Sequence, residues 1–250
     1  MMVREGDAMT GLSLLVPCLN EADNLPDFVA RARAALGGAT AAGDRAWEIV
    51  LVDDGSTDAT WSCLQRMQSR HPELRAVRHP RTGGIPAAWR TGLAHARGDH
   101  ICVIDADLQY DPADIPRLRR AIDATGADIV QGVRAASDRP RDPRYVLSRG
   151  LSAVLNFAFG MAARDNKSGF FACRRGVLDD LLRFSGHYRH WQCFVMVAAH
   201  HRGYRIHEIE TTFRPRRSGR SAFGALALGP ALGVALDLPT AWREYRPVRR

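Results

Sequence analysis

The feature that most constrains the fold is a repeated pattern of short, mostly apolar runs, each followed by polar or turn residues and then by a helical pattern. These runs lie at residues 12–19, 47–56, 74–79, 100–105 and 127–133. Apolar runs of this kind are typical of strands covered on both faces, and helices of about a dozen residues between them allow parallel pairing. The pattern therefore predicts an α/β protein with a doubly wound, mainly parallel sheet.

The regular alternation ends after residue 134. A charged, proline-containing loop follows, and residues 145–159 have the pattern of an amphipathic helix. Further helical and strand patterns continue to residue 213. We therefore expect a short tail at 1–11, one domain over 12–221 that divides into halves at 12–135 and 136–221, and a C-terminal tail at 222–250.

The composition is that of an ordinary globular protein with a basic balance. The formal net charge is +8, and Lys167 is the only lysine, so arginine supplies almost all of the positive charge. A basic balance suggests acidic partners, such as phosphates, nucleotides, nucleic acid or anionic lipid, without choosing among them. The five cysteines contain no C-x-x-C pair and are expected to be buried, reduced thiols.

Polar side chains follow three of the predicted strands: Asn20-Glu21, Asp53-Asp54-Gly55-Ser56, and Asp105-x-Asp107-x-Gln109. Because ligands bind beyond the carboxyl ends of parallel strands, we expect these groups to meet at one edge of the sheet. From Ile104 onward polar and apolar residues alternate, which predicts that the third group shares one face of an extended strand. Such a set of oxygens suits Mg²⁺ or Mn²⁺ bridging to phosphate oxygens of a ligand.

Two common nucleotide-binding motifs are absent from the sequence. It contains no G-x-x-x-x-G-K-[ST] loop, and no G-x-G-x-x-G follows the first strand. A nucleotide would therefore be held differently from those of ATPases and dehydrogenases.

The segments VPCLNEADNLP, VDDGSTD and GDHICVIDADLQYDP, in this order and spacing, resemble glycosyltransferase family 2, which has the GT-A fold. The form DADLQ is similar to the branch that contains dolichyl-phosphate mannose synthases and bacterial polyprenyl-phosphate glycosyltransferases. The second half matches more loosely, through RYVLSRGLSAVLN, DNKSGFFACRR and GYRIHEIETTFRPRRSGRS. The resemblance implies that 12–135 is the nucleotide-sugar and metal-binding half, and that 136–221 is the acceptor half with a closing loop.

The resemblance also implies roles for individual residues. The nucleoside pocket would be lined by Pro17, Asn20 and Glu21, with Asp53 or Asp54 near the base and ribose. The metal, Mg²⁺ or Mn²⁺, would be held by Asp105, Asp107 and Gln109. Acceptor or donor phosphates would contact Arg134 and Arg149, and a mobile loop over the diphosphate would include Arg216, Gly219 and Ser221. The family commonly has lysine where this chain has Ala222, so the missing charge would come from Lys167, Arg217 or Arg220.

The acceptor is predicted from a residue type that is missing. Family members acting on sugar hydroxyls commonly place an aspartate, as general base, before the helix that precedes a G-Y-R-I-type strand. The comparable positions here are Trp191 and Gln192, which cannot accept a proton at neutral pH. A phosphate monoester is already ionised and needs no base.

We therefore expect a metal-dependent, inverting transfer from a nucleoside diphosphate sugar to polyprenyl phosphate. The alternatives are transfer to a glycan or small-molecule hydroxyl, a sugar-nucleotide pyrophosphorylase, and a nucleic-acid-binding protein. A pyrophosphorylase should carry a glycine- and lysine-rich loop after the first strand, and the acidic sheet edge argues against nucleic acid as a partner.

The C-terminal region is apolar over 222–239 and then basic and aromatic, ending in AWREYRPVRR. This pattern predicts a membrane-surface element with Trp242, Tyr245 and the arginines at the headgroups. An amphipathic helix packed on the domain is the alternative. With the first interpretation the enzyme would be peripheral, at the cytoplasmic face of the membrane.

Overall fold

The structure is a computed structural model that describes residues 11–40, 46–135, 143–166, 168–214 and 228–245. Its strands are β1 (Leu12–Cys18), β2 (Trp47–Asp53), β3 (Leu74–Arg78), β4 (His100–Val103), β5 (Ile129–Arg134), β6 (Phe171–Arg174) and β7 (Ile206–Thr211). Its helices are α1 (Leu25–Thr40), α2 (Thr60–Gln68), α3 (Ile85–His95), α4 (Ile115–Thr125), α5 (Pro143–Phe159), α6 (Arg175–Leu181), α7 (Val195–His201) and α8 (Leu228–Tyr245). Two 3₁₀ turns, Pro112–Asp114 and Trp191–Phe194, precede α4 and α7.

The seven strands form one sheet in the order β3-β2-β1-β4-β6-β5-β7. Every pairing is parallel except those of β6, which runs antiparallel to both β4 and β5. The predicted α/β class with a mainly parallel sheet is confirmed. The insertion of a reversed strand between β4 and β5 means that the two halves of the chain share one sheet.

Helices cover both faces of the sheet, because successive strand residues point to opposite sides. Leu15 and Val50 face a core shared with α3 and α5–α8, while Leu14 and Ile49 face a core shared with α1, α2 and α4. All four side chains are at most 1% exposed. This two-sided burial explains why the strands are almost continuously apolar in sequence.

Helix α8 packs on the domain, as the second interpretation of the C-terminal region expected. Its Asp237 carboxylate is buried and accepts hydrogen bonds from the backbone N–H groups of Arg189 and His190, the latter at 2.7 Å. Tyr245 is 3% exposed and accepts a hydrogen bond from Trp191 Nε1, so the prediction that it lies among lipid headgroups is wrong. Trp242, by contrast, is 49% exposed.

Strand β4 begins with a buried histidine. His100 is 6% exposed, and neither ring nitrogen has a hydrogen-bond partner among the described residues. Burial, with a smaller contribution from Arg119, lowers the pKa of His100 to about 4. The neutral imidazole is therefore the form that the fold accommodates.

The low pKa of His100 predicts a loss of stability in acid. An unfolded histidine titrates near pH 6.5, so between about pH 6.5 and 4 the unfolded state binds the additional proton. The free energy of unfolding should therefore fall as the pH drops through this window, by up to about 3 kcal/mol from this group. Urea unfolding at pH 7 and pH 4.5 measures the fall, which His100→Leu should reduce. The same change at the exposed His95 is the control, and an unaltered fall in His100→Leu would contradict the assignment.

Candidate functional site at the carboxyl edge of the sheet

The loops after β1 and β2 are joined by hydrogen bonds. The backbone N–H of Asn20 donates to Ser56 Oγ at 2.9 Å, and Asn20 Oδ1 accepts from the N–H of Thr57 at 2.9 Å. The N–H of Glu21 donates to Thr60 Oγ1 at 2.9 Å. Asn20 itself has a left-handed backbone with φ of 56°, a conformation that asparagine tolerates better than most residues. The predicted meeting of the first two motifs is therefore confirmed.

Pro17 and the Asp53 side chain lie beneath this junction. Pro17 is half-buried in β1 and stands beside Val52 of β2. Asp53 is fully buried; its Oδ1 accepts from the N–H of Ser56 at 2.9 Å, and its Oδ2 lies 3.1 Å from Arg78 Nε. Asp53 thus closes the turn after β2. Its expected position near the base or ribose of a nucleotide stays a prediction.

Asp54 organises a second loop that the sequence did not reveal. Its Oδ1 accepts from the N–H of Gly83 and its Oδ2 from the N–H of Gly84, both at 2.8 Å. The ring Nδ1 of His79 lies 2.6 Å from the same Oδ1, and Nε2 lies 2.8 Å from Thr91 Oγ1. Asp54 therefore fixes the loop that leads into α3. The aspartate was visible in the sequence, but its partners are 25 to 30 residues away.

Carboxylates from three strand ends surround one thiol. Burial raises the pKa of Cys18 well above its usual value, and the nearby charges of Glu21, Asp53 and Asp105 raise it further. Glu21 follows β1, Asp53 is the last residue of β2, and Asp105 follows β4. The acidic side chains thus converge at the carboxyl edge, as the order of motifs predicted.

The segment after β4 differs from its prediction. The strand ends at Val103, and the chain turns at Ala106 and Asp107, with Leu108 in the left-handed region at φ of 59°. Asp107 Oδ1 accepts from the N–H of Gln109 at 3.0 Å, which closes the turn. Asp105, Asp107 and Gln109 therefore do not line one face of an extended strand.

The residues of this turn still have the chemistry of a divalent metal site. No group of three or more His, Cys, Asp or Glu side chains is arranged to hold a metal within the part of the chain that the structure describes. Mg²⁺ commonly takes only one or two protein carboxylates and completes its shell with phosphate oxygens and water. Asp105 and Asp107 offer two carboxylates in the segment after β4, and Gln109 adds an amide oxygen. The donor set fits such an ion, with Asp105 and Asp107 as the residues that would hold it.

The turn that contains Asp107 is linked to the segment that follows β7. The N–H of Arg214 donates to the Gln109 carbonyl at 2.8 Å, and Arg214 Nη2 lies 3.0 Å from Asp111 Oδ2. The rings of Tyr110 and Phe213 meet edge to face with centroids 5.1 Å apart. The first residue of the arginine run 214–220 is therefore fixed against the motif that follows β4. Asp111 also caps the following 3₁₀ turn by accepting a hydrogen bond from the N–H of Ala113.

Arg134 and Arg149 occupy different environments. Arg134 lies over the Phe213 ring at 5.0 Å and forms a bidentate pair with Asp165, with Nε to Oδ2 at 2.8 Å and Nη2 to Oδ1 at 3.2 Å. Arg149 is exposed on α5. A phosphate role for either arginine stays a prediction. Asp165, which orients the first of them, was not predicted as a site residue.

The Arg134–Asp165 pair gives a testable expectation for stability. Asp165→Asn should lower the free energy of unfolding by about 2 kcal/mol, because a nearly buried guanidinium loses its charged acceptor. Asp179→Asn is the matched control, because Asp179 pairs with Arg183 in an exposed position on α6 and should change stability by less than about 0.5 kcal/mol. Denaturant unfolding of both variants measures the difference. An equal loss of unfolding free energy in both variants would contradict the conclusion that the bidentate Arg134–Asp165 pair stabilises the fold more than an exposed pair.

Several predicted residues lie outside the described part of the chain. These are Lys167, Arg216, Gly219 and Ser221, together with the residues considered for the missing lysine charge, Arg217, Arg220 and Ala222. The neighbouring Gly169 is described, and a Cβ atom there would lie 3.4 Å from Asp105 Oδ2. Gly169 therefore lies close to Asp105, one of the residues predicted to hold the metal.

Trp191 and Gln192, which occupy the position expected for a general base, begin a 3₁₀ turn. Trp191 is 1% exposed, stacks on Phe184 with ring centroids 4.3 Å apart and contacts Trp89 edge to face. Gln192 is half-buried. This position belongs to an aromatic core and offers no proton acceptor.

A mixed, mainly parallel sheet with acidic groups at its carboxyl edge agrees with the class of GT-A nucleotide-sugar transferases that the sequence motifs resemble. The profile of Glycosyl transferase family 2 matches residues 13–182. The chain therefore belongs to glycosyl transferase family 2. This membership removes the basis for the pyrophosphorylase and nucleic-acid-binding alternatives.

Two curated relatives share about a third of their aligned residues with this chain. The dolichol-phosphate mannosyltransferase of Pyrococcus furiosus is 34% identical over 174 residues, covering 67% of this chain and 47% of the relative. The undecaprenyl-phosphate 4-deoxy-4-formamido-L-arabinose transferase of Pseudomonas aeruginosa is 34% identical over 236 residues, covering 92% of this chain and 64% of the relative. The chain thus spans about half to two thirds of the length of these relatives.

Solved structures support the fold. The glucosyl-3-phosphoglycerate synthase of Mycobacterium tuberculosis, in complex with Mn²⁺, UDP and glucosyl-3-phosphoglycerate, aligns with a TM-score of 0.68 at 21% identity, over 96% of this chain and 86% of that one. A mannosyltransferase of Pyrobaculum calidifontis, in complex with GDP-mannose and Mn²⁺, aligns with the same score at 22% identity, over 95% and 65%. Both similarities establish the GT-A architecture of this chain.

Proposed function

We propose that this chain transfers a sugar from a nucleoside diphosphate sugar to a polyprenyl phosphate. An oxygen of the acceptor phosphate attacks the anomeric carbon while the bond from that carbon to the diphosphate breaks on the opposite side, which inverts the configuration. The relatives named for dolichol phosphate and undecaprenyl phosphate support this acceptor class. The proposed catalytic unit is the domain over 12–221.

The observation that carries the proposal is the burial of Trp191 where a hydroxyl-specific enzyme needs a base. A hydroxyl nucleophile must lose its proton during the attack, so such an enzyme needs a general base, and this position is where family members commonly place it. An ionised phosphate monoester has no such requirement. A position filled by a core indole therefore fits a phosphate acceptor better than a sugar hydroxyl.

Different described residues are proposed to bind the nucleoside, the metal and the acceptor phosphate. The joined loops after β1 and β2 would hold the nucleoside, with Pro17, Asn20 and Glu21 at the pocket. Asp105 and Asp107 would hold Mg²⁺ or Mn²⁺, which neutralises the negative charge that develops on the departing diphosphate. Arg149, which is exposed on α5, is the described arginine proposed for the acceptor phosphate, since its planar group donates two parallel hydrogen bonds to phosphate oxygens.

Because a polyprenyl acceptor resides in a membrane, the enzyme would act at a membrane surface. We propose peripheral attachment at the cytoplasmic face, where nucleotide sugars are available. Across the described residues, no helix combines the length and the apolar character needed to cross a bilayer.

The proposal is tested by nucleotide release from GDP-, UDP- and dTDP-sugars, each with Mn²⁺ or Mg²⁺ and a short-chain polyprenyl phosphate. Release that depends on both the metal and the lipid phosphate is expected for at least one donor. Release that needs only the donor and water would indicate simple hydrolysis. No release with any donor would contradict the proposed reaction.

A further inference from the structure

Exposed large apolar side chains are concentrated on two helices. Six such residues occur within the described ranges, and five of them lie on α5 or α8: Val154, Phe157, Leu232, Leu236 and Trp242. Phe157 is 92% exposed and Leu232 is 62% exposed. The sixth, Leu19, lies in the loop after β1. Single exposed apolar residues are ordinary, whereas a cluster on adjacent elements marks an interaction surface.

The two helices are neighbours and are anchored on the same side. They pack against each other, and both pack against α7. Leu155 and Phe159 of α5, with Val234 and Ala241 of α8, point into the same core. Phe157 of α5 and Leu232 and Leu236 of α8 stand on the opposite sides, with Val154 and Trp242 on the flanks. The outward sides of the two helices therefore form one surface, which we call the α5–α8 face.

Among the described residues of α5 and α8, the exposed charged side chains have one sign. The sequence of α5 contains no aspartate or glutamate. The two acidic residues of α8 are engaged with the protein: Asp237 caps the N–H groups of Arg189 and His190, while Glu244 accepts from the N–H of Ser185 at 2.9 Å and from the Tyr188 hydroxyl at 2.7 Å.

Arginine, by contrast, is exposed on both helices. Arg149 on α5 and Arg243 on α8 are exposed, and the sequence continues past α8 with three more arginines, Arg246, Arg249 and Arg250. An apolar surface on which the exposed charged groups among the described residues are basic is complementary to anionic lipid, which attracts arginine at its headgroups and accepts apolar side chains below them.

We propose that the α5–α8 face is a membrane-docking surface that lies flat on an anionic bilayer. The inference deepens the proposed function and rests on it only for the expectation that the acceptor is a lipid. A second copy of this chain is a poorer occupant, because two such faces would bring arginines of like charge together on a protein with a net charge of +8.

The experiment is co-sedimentation of the full chain with phosphatidylglycerol vesicles that contain no polyprenyl phosphate, in the absence of donor. The test variant is Phe157→Ser with Leu236→Ser, two exposed positions whose replacement leaves the core untouched. Leu19→Ser is the matched control, because it removes the exposed apolar residue that lies away from the face. Circular dichroism checks the folding of each protein.

The wild type should bind these vesicles, less so in high salt or with phosphatidylcholine alone, and the double variant should bind on the order of tenfold or more weakly. Leu19→Ser should bind like the wild type. Equal binding by wild type and double variant, or no binding by the wild type, would overturn the proposal. So would a dimer in solution that the double variant converts to a monomer, since the face would then be covered by a second copy.

The result of the vesicle-binding experiment can be distinguished from the result of the transfer assay. Vesicle binding without transfer to polyprenyl phosphate would leave the docking surface standing and reject the acceptor. Transfer to a short-chain, water-soluble acceptor without vesicle binding would reject the docking surface and leave the acceptor class standing. The double variant should retain the wild-type rate on that soluble acceptor, because neither residue has been assigned to the reaction.

Discussion

Replacement of Asp107 by alanine is expected to lower turnover by about a thousandfold or more, the range seen when a principal electrostatic stabiliser of a transition state is removed. The Asp107 carboxylate lies in the turn after β4, where Leu108 has a left-handed backbone and the N–H of Gln109 binds Oδ1. The loss of this hydrogen bond should cost only about 1 kcal/mol of folding stability, so the fold should persist. Activity, the melting temperature and Mn²⁺ binding are to be measured together.

The matched control is Asp123→Ala, which removes an exposed carboxylate from α4, where it pairs with Arg119. This variant should keep wild-type turnover. Binding of Mn²⁺ in the presence of a nucleoside diphosphate, followed by electron paramagnetic resonance, should be lost in Asp107→Ala and retained in the control. Full activity in both Asp107→Ala and the chelator-treated wild type would show that the turn does not hold a catalytic metal.

The behaviour of this turn shows where sequence reasoning reached its limit. From Ile104 to Gln109 the polar and apolar residues alternate, and Ala106 and Leu108 are indeed buried, at 1% and 5% exposure. The same alternation is produced by a tight turn whose small and apolar members face the core. Period two therefore identified the buried apolar residues, but it identified neither the backbone that buries them nor the burial of Asp107, which is 7% exposed.

Strands β1 to β5 could be predicted from the sequence, but the order of all seven strands in the sheet could not. Local apolar runs marked β1 to β5, because each strand is covered on both faces. The antiparallel insertion of β6 depends on pairs such as Val103 with Phe171, which lie far apart in sequence. Likewise, Asp54 stood out in the sequence, but its hold on Gly83 and Gly84 arises only from the folded chain. Local patterns specified elements and strand ends, while long-range contacts decided order and partners.

The second prediction with a large effect concerns the acceptor. A short-chain polyprenyl phosphate should be glycosylated at least about a thousandfold faster than the matching polyprenol, because the alcohol needs a general base. Trp191 and Gln192 offer none where one is expected, and Trp191 is held in the core by Tyr245 and Phe184. The rate with the phosphate should also be nearly flat from pH 7 to pH 9, since its second ionisation, near pH 6, is then complete.

A variant at Arg149 separates acceptor use from donor use. Arg149→Ala should raise the KM for polyprenyl phosphate by about tenfold or more, in line with the loss of a charge-assisted hydrogen-bonding group, and leave the KM for the nucleotide sugar nearly unchanged. Arg183→Ala, which removes an arginine whose exposed side chain pairs with Asp179, is the control and should change neither constant. A rise in the KM for the nucleotide sugar alone would indicate that Arg149 contacts the donor and not the acceptor.

Comparable rates on the phosphate and the free alcohol would reject the lipid-phosphate acceptor, as would transfer only to a sugar hydroxyl. A base would then have to come from elsewhere at the sheet edge. Asp165 would be a poor candidate, because both of its oxygens are bound to Arg134 and its side chain is 2% exposed. Because Glu208 lies in β7 and burial raises the pKa of its carboxyl group, it would be the next residue to replace. A polyprenyl phosphate needs none of these groups to act as a base, and for that reason it remains the acceptor that this arrangement favours.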